Sequence, residues 1–174
     1  LTVEVASKIK SLNCETAAHL PCINLDKDEV LDTLQKLREH RIENILALRG
    51  DKTPGIEPKC VFPHASDLIA FIRQQTGDEF NIIGACYPEG HPNSKTLAED
   101  IDHLKIKVDA GASELITQLF FDNRDFYNFL DKSTQAGIRV PIEAGIMPVT
   151  NKKQIERMVT LCGATLPLKF QKIL

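Results

Sequence analysis

Residues 46–51 read Leu46-Ala47-Leu48-Arg49-Gly50-Asp51, an apolar run that ends in an arginine, a glycine and a carboxylate. A parallel strand that is buried on both faces reads as a near-continuous apolar run. In α/β barrels such strands present their polar groups at the carboxyl end. This stretch therefore predicts a buried parallel strand whose carboxyl end carries chemistry.

Two later segments show the same pattern. Residues 82–86 are apolar and lead into residues 87–91, which read Tyr-Pro-Glu-Gly-His. Residues 115–121 carry one amide, Gln118, in an otherwise apolar run and are followed by Asp122. Because the carboxyl ends of parallel strands meet at one edge of a sheet, these polar groups predict one shared site.

Composition narrows the class of protein. The chain has 174 residues, the size of one ordinary domain, and its hydrophobic fraction of 43% is enough to fill a core. A net charge of −3 gives no basic field for nucleic acid. No apolar run is long enough to span a bilayer, and the first residues are not a signal peptide, so we expect a cytoplasmic protein without a membrane partner. The five cysteines are scattered without a Cys-x-x-Cys pair, which favours reduced thiols and predicts no metal site.

Strand and helix patterns alternate along the chain. The strand candidates are residues 17–23, 44–48, 81–86, 114–120 and 141–147, with a weaker one at 163–166. Apolar stripes at helical spacing occur at Val5-Ile9-Leu12, Val30-Leu31-Leu34-Leu37, Leu68-Ile69-Ile72, Leu97-Ile101-Leu104-Val108, Phe126-Phe129-Leu130 and Ile155-Met158-Val159-Cys162.

Several helix boundaries carry sequence signals. Asp26, three residues before Glu29, predicts a capping box. A helix is expected to follow Ser66, and Thr150 is the expected N-cap of the last helix. Gly111 and Gly137 are expected to end the helices that precede them.

The strands recur about every thirty residues, the size of a βαβ unit. This repetition fits a (β/α) barrel or an open doubly wound sheet. No Gly-x-Gly-x-x-Gly follows a strand, and polar groups follow several different strands, so we predict an α/β fold of the (β/α)8 TIM barrel type. About six β/α units are visible where eight close a barrel. We therefore expect residues 1–174 to form a single incomplete barrel domain that lacks the first two strands.

Arg49, Gly50 and Asp51 allow two interpretations. They could be a turn glycine beside a solvated ion pair. They could also be an arginine that binds phosphate, a glycine that permits close approach of a ligand and a carboxylate that faces a substrate. A three-residue motif does not decide between these interpretations.

Tyr87 and His91 lie in a loop that Pro88, Gly90 and Pro92 make rigid. A loop histidine is usually solvated, but a fixed direction favours a functional role. Tyr87 offers a flat ring and a hydroxyl to a ligand.

Asp100, His103 and Lys107 recur on one helix face, where they form either a solvated charged surface or a contact to a ligand phosphate.

Gln118 and His19 are polar residues within apolar strands, so each needs hydrogen-bond partners. Those partners could belong to the protein or to a ligand.

Six segments, taken together, resemble the methylenetetrahydrofolate reductase family. They are residues 16–22, 44–51, 87–92, 104–112, 116–122 and 145–148. Each is weak alone, and their joint order and spacing are specific. The resemblance implies a (β/α)8 flavoprotein with FAD at the carboxyl ends of the strands. It also implies reduction of methylenetetrahydrofolate to methyltetrahydrofolate with NADH or NADPH as donor, and we expect a homo-oligomer.

The resemblance also assigns roles to single residues. The positions that match flavin-contacting residues are His19, Arg49, Gly50, Asp51, Ala85, Tyr87, His91, Asp100, His103 and Lys107. Asp51 would be the catalytic carboxylate, near both flavin and folate, where it could stabilise the cationic iminium of the folate. Gln118 would bind the pterin of the substrate. Position 103 also holds asparagine in the family, which makes the His103 contact weaker.

The chain departs from the family pattern in three places. The family's general acid, a glutamate at the end of its first strand, has no counterpart here. Glu143-Ala144 stands where a proline often occurs, and Met158 stands where an aromatic residue can occur. Two alternatives stay open: a flavin-binding but catalytically incomplete subunit that needs a partner, and a flavin-free, phosphate-binding barrel enzyme.

Overall fold

The structure is a computed structural model that describes residues 2–52, 54–147 and 151–168. Helices and strands alternate along these residues. In chain order they are α1 (Thr2–Lys10), β1 (Ala17–Pro21), α2 (Lys27–Glu39), β2 (Asn44–Leu48), α3 (Ala65–Thr76), β3 (Asn81–Cys86), α4 (Leu97–Asp109), β4 (Glu114–Thr117), α5 (Asn123–Gln135), β5 (Ile142–Glu143) and α6 (Lys152–Cys162).

The five strands form one sheet in the order β1-β2-β3-β4-β5. Pairing is parallel between β1 and β2, where His19 lies beside Leu46, and between β2 and β3, where Leu46 lies beside Ile83. Strand β5 is parallel to β4. This arrangement confirms the α/β class and is that of a partial (β/α) barrel. Among the residues described, no helix combines the length and apolarity that a membrane crossing requires.

The chain divides into two compact units. Unit 1 comprises residues 1–84 and 107–114, and unit 2 comprises residues 85–106 and 115–174. That residues 1–174 form a single incomplete barrel domain stays a prediction.

The core of unit 1 follows from alternation along its strands. In β1, Ala18 and Leu20 are buried whereas His19 and Pro21 are exposed. The buried face packs on apolar stripes of α2 and α3. These buried helix residues are Val30, Leu34, Leu37, Leu68, Ile69 and Ile72. Successive strand residues point to opposite faces, so one face builds the core and the other carries His19.

The predicted capping box at the start of α2 is confirmed. The Glu29 N–H donates to Asp26 Oδ1 at 3.0 Å, and the Asp26 N–H donates to Glu29 Oε2 at 2.8 Å. Lys59 Nζ binds both carboxylates, at 2.8 and 2.6 Å. The two capping-box bonds give partners to the N–H groups of Asp26 and Glu29, which would otherwise have none at the start of the helix.

A polar layer lies at the amino ends of the strands of unit 1. Asn81 Nδ2 donates to Asn44 Oδ1 and to Glu114 Oε2, both at 3.0 Å. Ser113 Oγ donates to Asn81 Oδ1 at 2.6 Å. Asn44, Asn81 and Glu114 are half-buried and Ser113 is exposed, and their side chains hydrogen-bond to one another within the protein, which indicates a structural role.

Unit 2 is built from helices that carry their own caps. Asp122 caps α5 by accepting from the Arg124 N–H at 2.9 Å. Asn151 caps α6 by accepting from the Gln154 N–H at 3.2 Å. The core of the unit includes the fully buried side chains of Leu115, Phe129 and Ile155, one from each of β4, α5 and α6.

Several predicted strand bounds were wrong. Strand β1 ends at Pro21 and β4 ends at Thr117. Single backbone hydrogen bonds continue beyond these ends, from the Ile23 N–H to the Arg49 carbonyl and from the Gln118 N–H to the Cys86 carbonyl. Strand β5 covers two residues only, and the Gly145 N–H donates to the side-chain oxygen of Thr117 at 2.9 Å instead of to a strand backbone. Residues 163–166 form no strand, because the Thr165 N–H donates to a glutamate side chain.

Three helix predictions also need correction. In α1 the predicted stripe is not the buried face, since Val5 is 51% exposed whereas Ala6 is 4% exposed. The small side chain of Ala6 permits close packing of the helix. Helix α3 begins at Ala65, before Ser66 rather than after it. Helix α6 is capped by Asn151, and Thr150 lies outside the described residues.

Two leucines of α2 provide a matched test of this core. Leu34 is 0% exposed and Leu31 is 39% exposed. We expect Leu34→Ala to lower the free energy of unfolding of the complete protein by about 2–5 kcal/mol, because it leaves a cavity, and Leu31→Ala to lower it by about 1 kcal/mol or less. Urea unfolding followed by circular dichroism measures both variants, and equal losses would contradict the packing described.

Candidate functional site

In unit 1 the hydrogen bonding between β1 and β2 continues beyond the strands. The Cys22 N–H donates to the Leu48 carbonyl at 3.0 Å, and the Ile23 N–H donates to the Arg49 carbonyl at 2.8 Å. Gly50 follows with a φ of +83°, and a Cβ there would lie 2.9 Å from the Pro21 Cβ. Only glycine fits this position without strain, so the glycine of the Arg-Gly-Asp stretch is required by the backbone.

The guanidinium of Arg49 has hydrogen-bond donors that no described residue accepts. Its side chain is exposed, and within the described residues its one hydrogen bond runs from Nε to the adjacent Gly50 carbonyl, at 3.4 Å. The terminal nitrogens of the guanidinium therefore have no described partner. A guanidinium with free donors suits a phosphate or carboxylate. His19 and Asp51 are also exposed in this unit.

Sequence reasoning missed one atom in this region. Asn24 Oδ1 is buried in the turn between β1 and α2 and has no hydrogen-bond partner among the described residues. A buried acceptor without a partner is uncommon and calls for an explanation such as a bound ligand or water. An asparagine just before a helix reads as an ordinary turn residue, so the sequence carried no signal for it.

Cys22, between β1 and α2, is a packing residue. Burial raises the pKa of its thiol to about 11, although its own backbone and the nearby Arg49 lower it. Its Sγ lies 3.6 Å from the Phe62 carbonyl oxygen. A thiol with so high a pKa holds almost no thiolate at neutral pH and is therefore a poor nucleophile.

In unit 2 the loop after β3 presents an aromatic pair. The rings of Tyr87 and His91 meet edge to face with centroids 4.6 Å apart. The Gly90 N–H donates to the Tyr87 carbonyl at 3.0 Å, which closes a tight turn between the two rings. The Asn93 N–H donates to His91 Nδ1 at 3.1 Å, so the neutral ring carries its proton on Nε2.

Asp100 of α4 holds this loop in place. It is 9% exposed, and its two oxygens accept from the His91 N–H and from Ser94 Oγ, both at 3.1 Å. Hydrogen bonds to a carboxylate are stronger than those between neutral groups. Asp100 therefore positions the backbone of His91.

Gln118 lies just beyond β4 and is half-buried. Its N–H donates to the Cys86 carbonyl at 2.7 Å, and its side-chain oxygen accepts from the Leu119 N–H at 2.8 Å. Its side-chain nitrogen makes no hydrogen bond to any described residue. Together with Tyr87 and Glu89 it lines a cavity with room for about one water molecule.

The predicted site residues thus fall into groups. Unit 1 brings Arg49 and Gly50 beside the end of β1, and unit 2 brings Tyr87, His91 and Asp100 together in one loop. The structure does not join His103 to either group, since it is exposed on α4. Ala85 on β3 and Lys107 near the end of α4 are half-buried. Among the described residues no cluster of histidine, cysteine or carboxylate side chains could hold a metal ion.

Carboxylates near the end of β4 also perturb one another. Arg124 lowers the pKa of Asp122 to about 2 through a side-chain hydrogen bond. The pKa of Asp125 is raised, chiefly by burial and then by the charges of Glu89 and Asp122. Glu89 and Asp125 were not candidates from the sequence, because their neighbourhood depends on the fold rather than on spacing along the chain.

Comparison with known proteins identifies the family of this chain. A family model described as methylenetetrahydrofolate reductase matches residues 1–174. The chain is 39% identical over 181 residues to methylenetetrahydrofolate reductase (NADH) 1 of Arabidopsis thaliana, covering 96% of this chain and 31% of that protein. It is 40% identical over 154 residues to 5,10-methylenetetrahydrofolate reductase of Escherichia coli K12, covering 88% of this chain and 50% of that protein.

Two solved structures share the fold. One is described as an uncharacterized protein from Clostridium thermocellum that binds two copies of 5-methyl-5,6,7,8-tetrahydrofolic acid, with a TM-score of 0.53, 16% identity and coverage of 97% of this chain and 79% of that one. The other is 2,3-dimethylmalate lyase, with a TM-score of 0.54, 11% identity and coverage of 92% of this chain and 72% of that one. At such identities the likeness concerns the fold alone.

A parallel sheet with helices between its strands, and with polar residues after β2, β3 and β4, defines an α/β protein of the (β/α) barrel class. Within that class, the chain belongs to the methylenetetrahydrofolate reductase family. It spans half the length of the Escherichia coli relative and about a third of the Arabidopsis relative.

The loop after β3 offers a direct test of the role of Asp100. We expect Asp100→Ala to speed amide exchange in residues 87–96 by about 10-fold or more, because two hydrogen bonds to a buried charge are lost. Hydrogen–deuterium exchange with mass spectrometry on the complete protein measures this. Asp102→Ala, an exposed carboxylate on the same helix, should leave the exchange unchanged. An equal effect of both variants would contradict the assignment.

Proposed function

We propose that this chain takes part in the reduction of 5,10-methylenetetrahydrofolate to 5-methyltetrahydrofolate, with NAD(P)H as donor and FAD as cofactor. The family match over residues 1–174 carries the proposal. The unused donors of Arg49 and Gln118 support it, because they are polar groups that the described part of the protein leaves for a ligand. Both nicotinamide donors are included in the proposal because the relatives' names include an NADH form and an NADPH form.

The residues present fit FAD. A dinucleotide offers two phosphates, and the exposed guanidinium of Arg49 has terminal donors that suit one of them. His91 lies in the loop that Asp100 fixes, with its ring edge to face against that of Tyr87. The residues we propose to hold FAD are His19, Arg49, Gly50, Asp51, Ala85, Tyr87, His91, Asp100, His103 and Lys107. When bound, the flavin supplies the hydride-transfer chemistry.

The protein side chains have separate tasks in this proposal. The carboxylate of Asp51 stabilises the cationic iminium form of the folate, since a fixed negative charge opposes a developing positive one. Gln118 donates from its side-chain nitrogen to an acceptor of the pterin ring, because its oxygen is already engaged by the Leu119 N–H. Asp100 contributes indirectly by fixing the backbone of His91.

The proposal is tested on the complete protein by its visible absorption spectrum and by its turnover. We expect flavin bands at a near-stoichiometric amount and oxidation of NAD(P)H that depends on methylenetetrahydrofolate, because the donor set fits a dinucleotide cofactor and a pterin. A flavin-containing protein without folate-dependent turnover would refute the substrate. A colourless and inactive protein would refute the whole assignment.

Asp51 provides the sharper mechanistic test. We expect Asp51→Asn to slow the folate-dependent step at least about 10-fold more than the NAD(P)H-dependent step, because the charge it removes opposes the iminium of the folate. Stopped-flow measurement of the two steps separates them. Glu57→Gln, an exposed carboxylate in the same loop between β2 and α3, is the control and should leave both rates unchanged. Equal loss in both steps would refute the role of Asp51.

A further inference from the structure

In unit 2 a glutamate side chain ties together two segments that are far apart in the chain. The Thr165 N–H donates to both Glu89 Oε1 and Glu89 Oε2, each at 3.0 Å, across 76 residues. Within the described residues these are the hydrogen bonds that Glu89 accepts. The bond links the loop after β3 to the segment that follows α6, residues 163–165, called here the post-α6 segment.

The turn after β3 determines where Glu89 points its side chain. The Gly90 N–H donates to the Tyr87 carbonyl at 3.0 Å, so Pro88 and Glu89 are the two central residues of a tight turn. Proline fixes its own φ and is favoured at the first central position of such turns. Glu89 is therefore held at the tip of a rigid turn rather than in a mobile loop.

The post-α6 segment is shaped to meet this turn. Gly163 ends α6 in the left-handed conformation with φ +70°, and a Cβ there would lie 3.0 Å from Pro92 Cγ. Ala164 is buried. The chain thus turns over Pro92, buries one small side chain and delivers the Thr165 N–H to Glu89.

This junction forms one wall of the cavity at Gln118. The post-α6 segment contributes Gly163 and Ala164 to that cavity, and the turn contributes Tyr87 and Glu89. The cavity has room for about one water molecule, and hence for a single acceptor atom at the edge of a ligand rather than for a ring. A small displacement of the wall therefore changes which acceptor atom can reach the amide nitrogen of Gln118.

A negative charge near Glu89 opposes its carboxylate, and the Thr165 N–H stabilises that carboxylate. The negative charge of Glu89 contributes to the raised pKa of Asp125, so the two carboxylates repel each other. Arg124 is engaged by Asp122 through a side-chain hydrogen bond. The Thr165 N–H is therefore the described donor that holds the Glu89 carboxylate against this repulsion.

We propose that Glu89 is a positioning residue for substrate binding: by accepting the Thr165 N–H it holds the post-α6 segment as the wall beside which one acceptor atom of a pterin ring meets the side-chain nitrogen of Gln118. This inference rests on the proposed function. Glu89 does not touch the reacting atoms in this role, and it acts through the backbone of residues 163–165.

The first measurement needs no substrate. We expect Glu89→Ala in the complete protein to speed amide exchange in residues 163–165 by about 10-fold or more, because the charge-assisted bond to the Thr165 N–H is lost. Glu89→Gln keeps one acceptor oxygen and should restore most of the protection. Unchanged exchange in Glu89→Ala would overturn the proposal.

The second measurement is steady-state kinetics. Glu89→Ala should raise the KM for methylenetetrahydrofolate about 10-fold while kcat changes less than about 3-fold. The reason is that the displaced wall weakens binding of the ground state and of the transition state equally. Gln118→Leu should raise the same KM, and the double variant should be no worse than Gln118→Leu alone, since both changes act on one pocket. Full additivity of the two changes would overturn the coupling to Gln118.

Two controls isolate the bond itself. Thr165→Ala keeps the N–H that Glu89 accepts and should leave the slow amide exchange of residues 163–165 unchanged. Glu99→Ala removes a similar bond, from the Lys95 N–H to Glu99 Oε2 at 2.6 Å, and should leave the KM unchanged because Glu99 does not line the cavity. A raised KM in Glu99→Ala would show that the whole loop after β3 is loosened and would overturn the specific role of Glu89.

Absence of folate turnover in the wild-type protein would refute the proposed function, whereas wild-type turnover with an unaltered KM in Glu89→Ala would refute the role of Glu89 alone.

Discussion

Parallel pairing in register is the constraint on which the rest of this structure depends. Because His19 lies beside Leu46 and Leu46 lies beside Ile83, alternate residues of three strands share one face. The other face, with Ala18 beside Ile45, is committed to the helices and to the core. A polar residue on the first face therefore has to find partners there, within the protein or in a ligand.

The two ends of the strands meet this requirement differently. At the amino ends of the strands of unit 1, Asn81 donates hydrogen bonds to Asn44 and to Glu114, so these polar groups have partners within the protein. At the carboxyl end, the guanidinium of Arg49 in unit 1 and the amide nitrogen of Gln118 in unit 2 are left without described partners. The asymmetry is that of (β/α) barrels, in which stability resides at one end and chemistry at the other.

The sequence predicted best those features that depend on near neighbours in the chain. Residues 44–48 and 81–86 form strands with the predicted bounds, because their apolar runs are ended by polar or turn residues. The capping box of Asp26 and Glu29 was predictable since it needs only a spacing of three residues. These local signals sufficed for the alternation of strands and helices, and hence for the fold class.

Features that depend on distant partners were not predictable in this way. Residues 163–166 have strand-like composition, yet the Thr165 N–H bonds to a glutamate 76 residues earlier instead of to a neighbouring strand. Asp100 read as one of three charges on a helix face, whereas its oxygens hold the loop of His91. In both cases a carboxylate accepts a main-chain N–H from another segment, and no periodicity in the sequence marks such a pair.

Gln118 shows how a locally unfavourable residue indicates a site. A leucine at this position would fill the space without any hydrogen-bonding requirement, whereas the half-buried glutamine offers an amide nitrogen that donates to no described residue. The side-chain oxygen is already engaged by the adjacent Leu119 N–H, so only the nitrogen needs a partner. In the proposed function an acceptor of the ligand takes this donor, so the glutamine selects a ligand by the position of its acceptor, which a hydrophobic residue of the same size could not do.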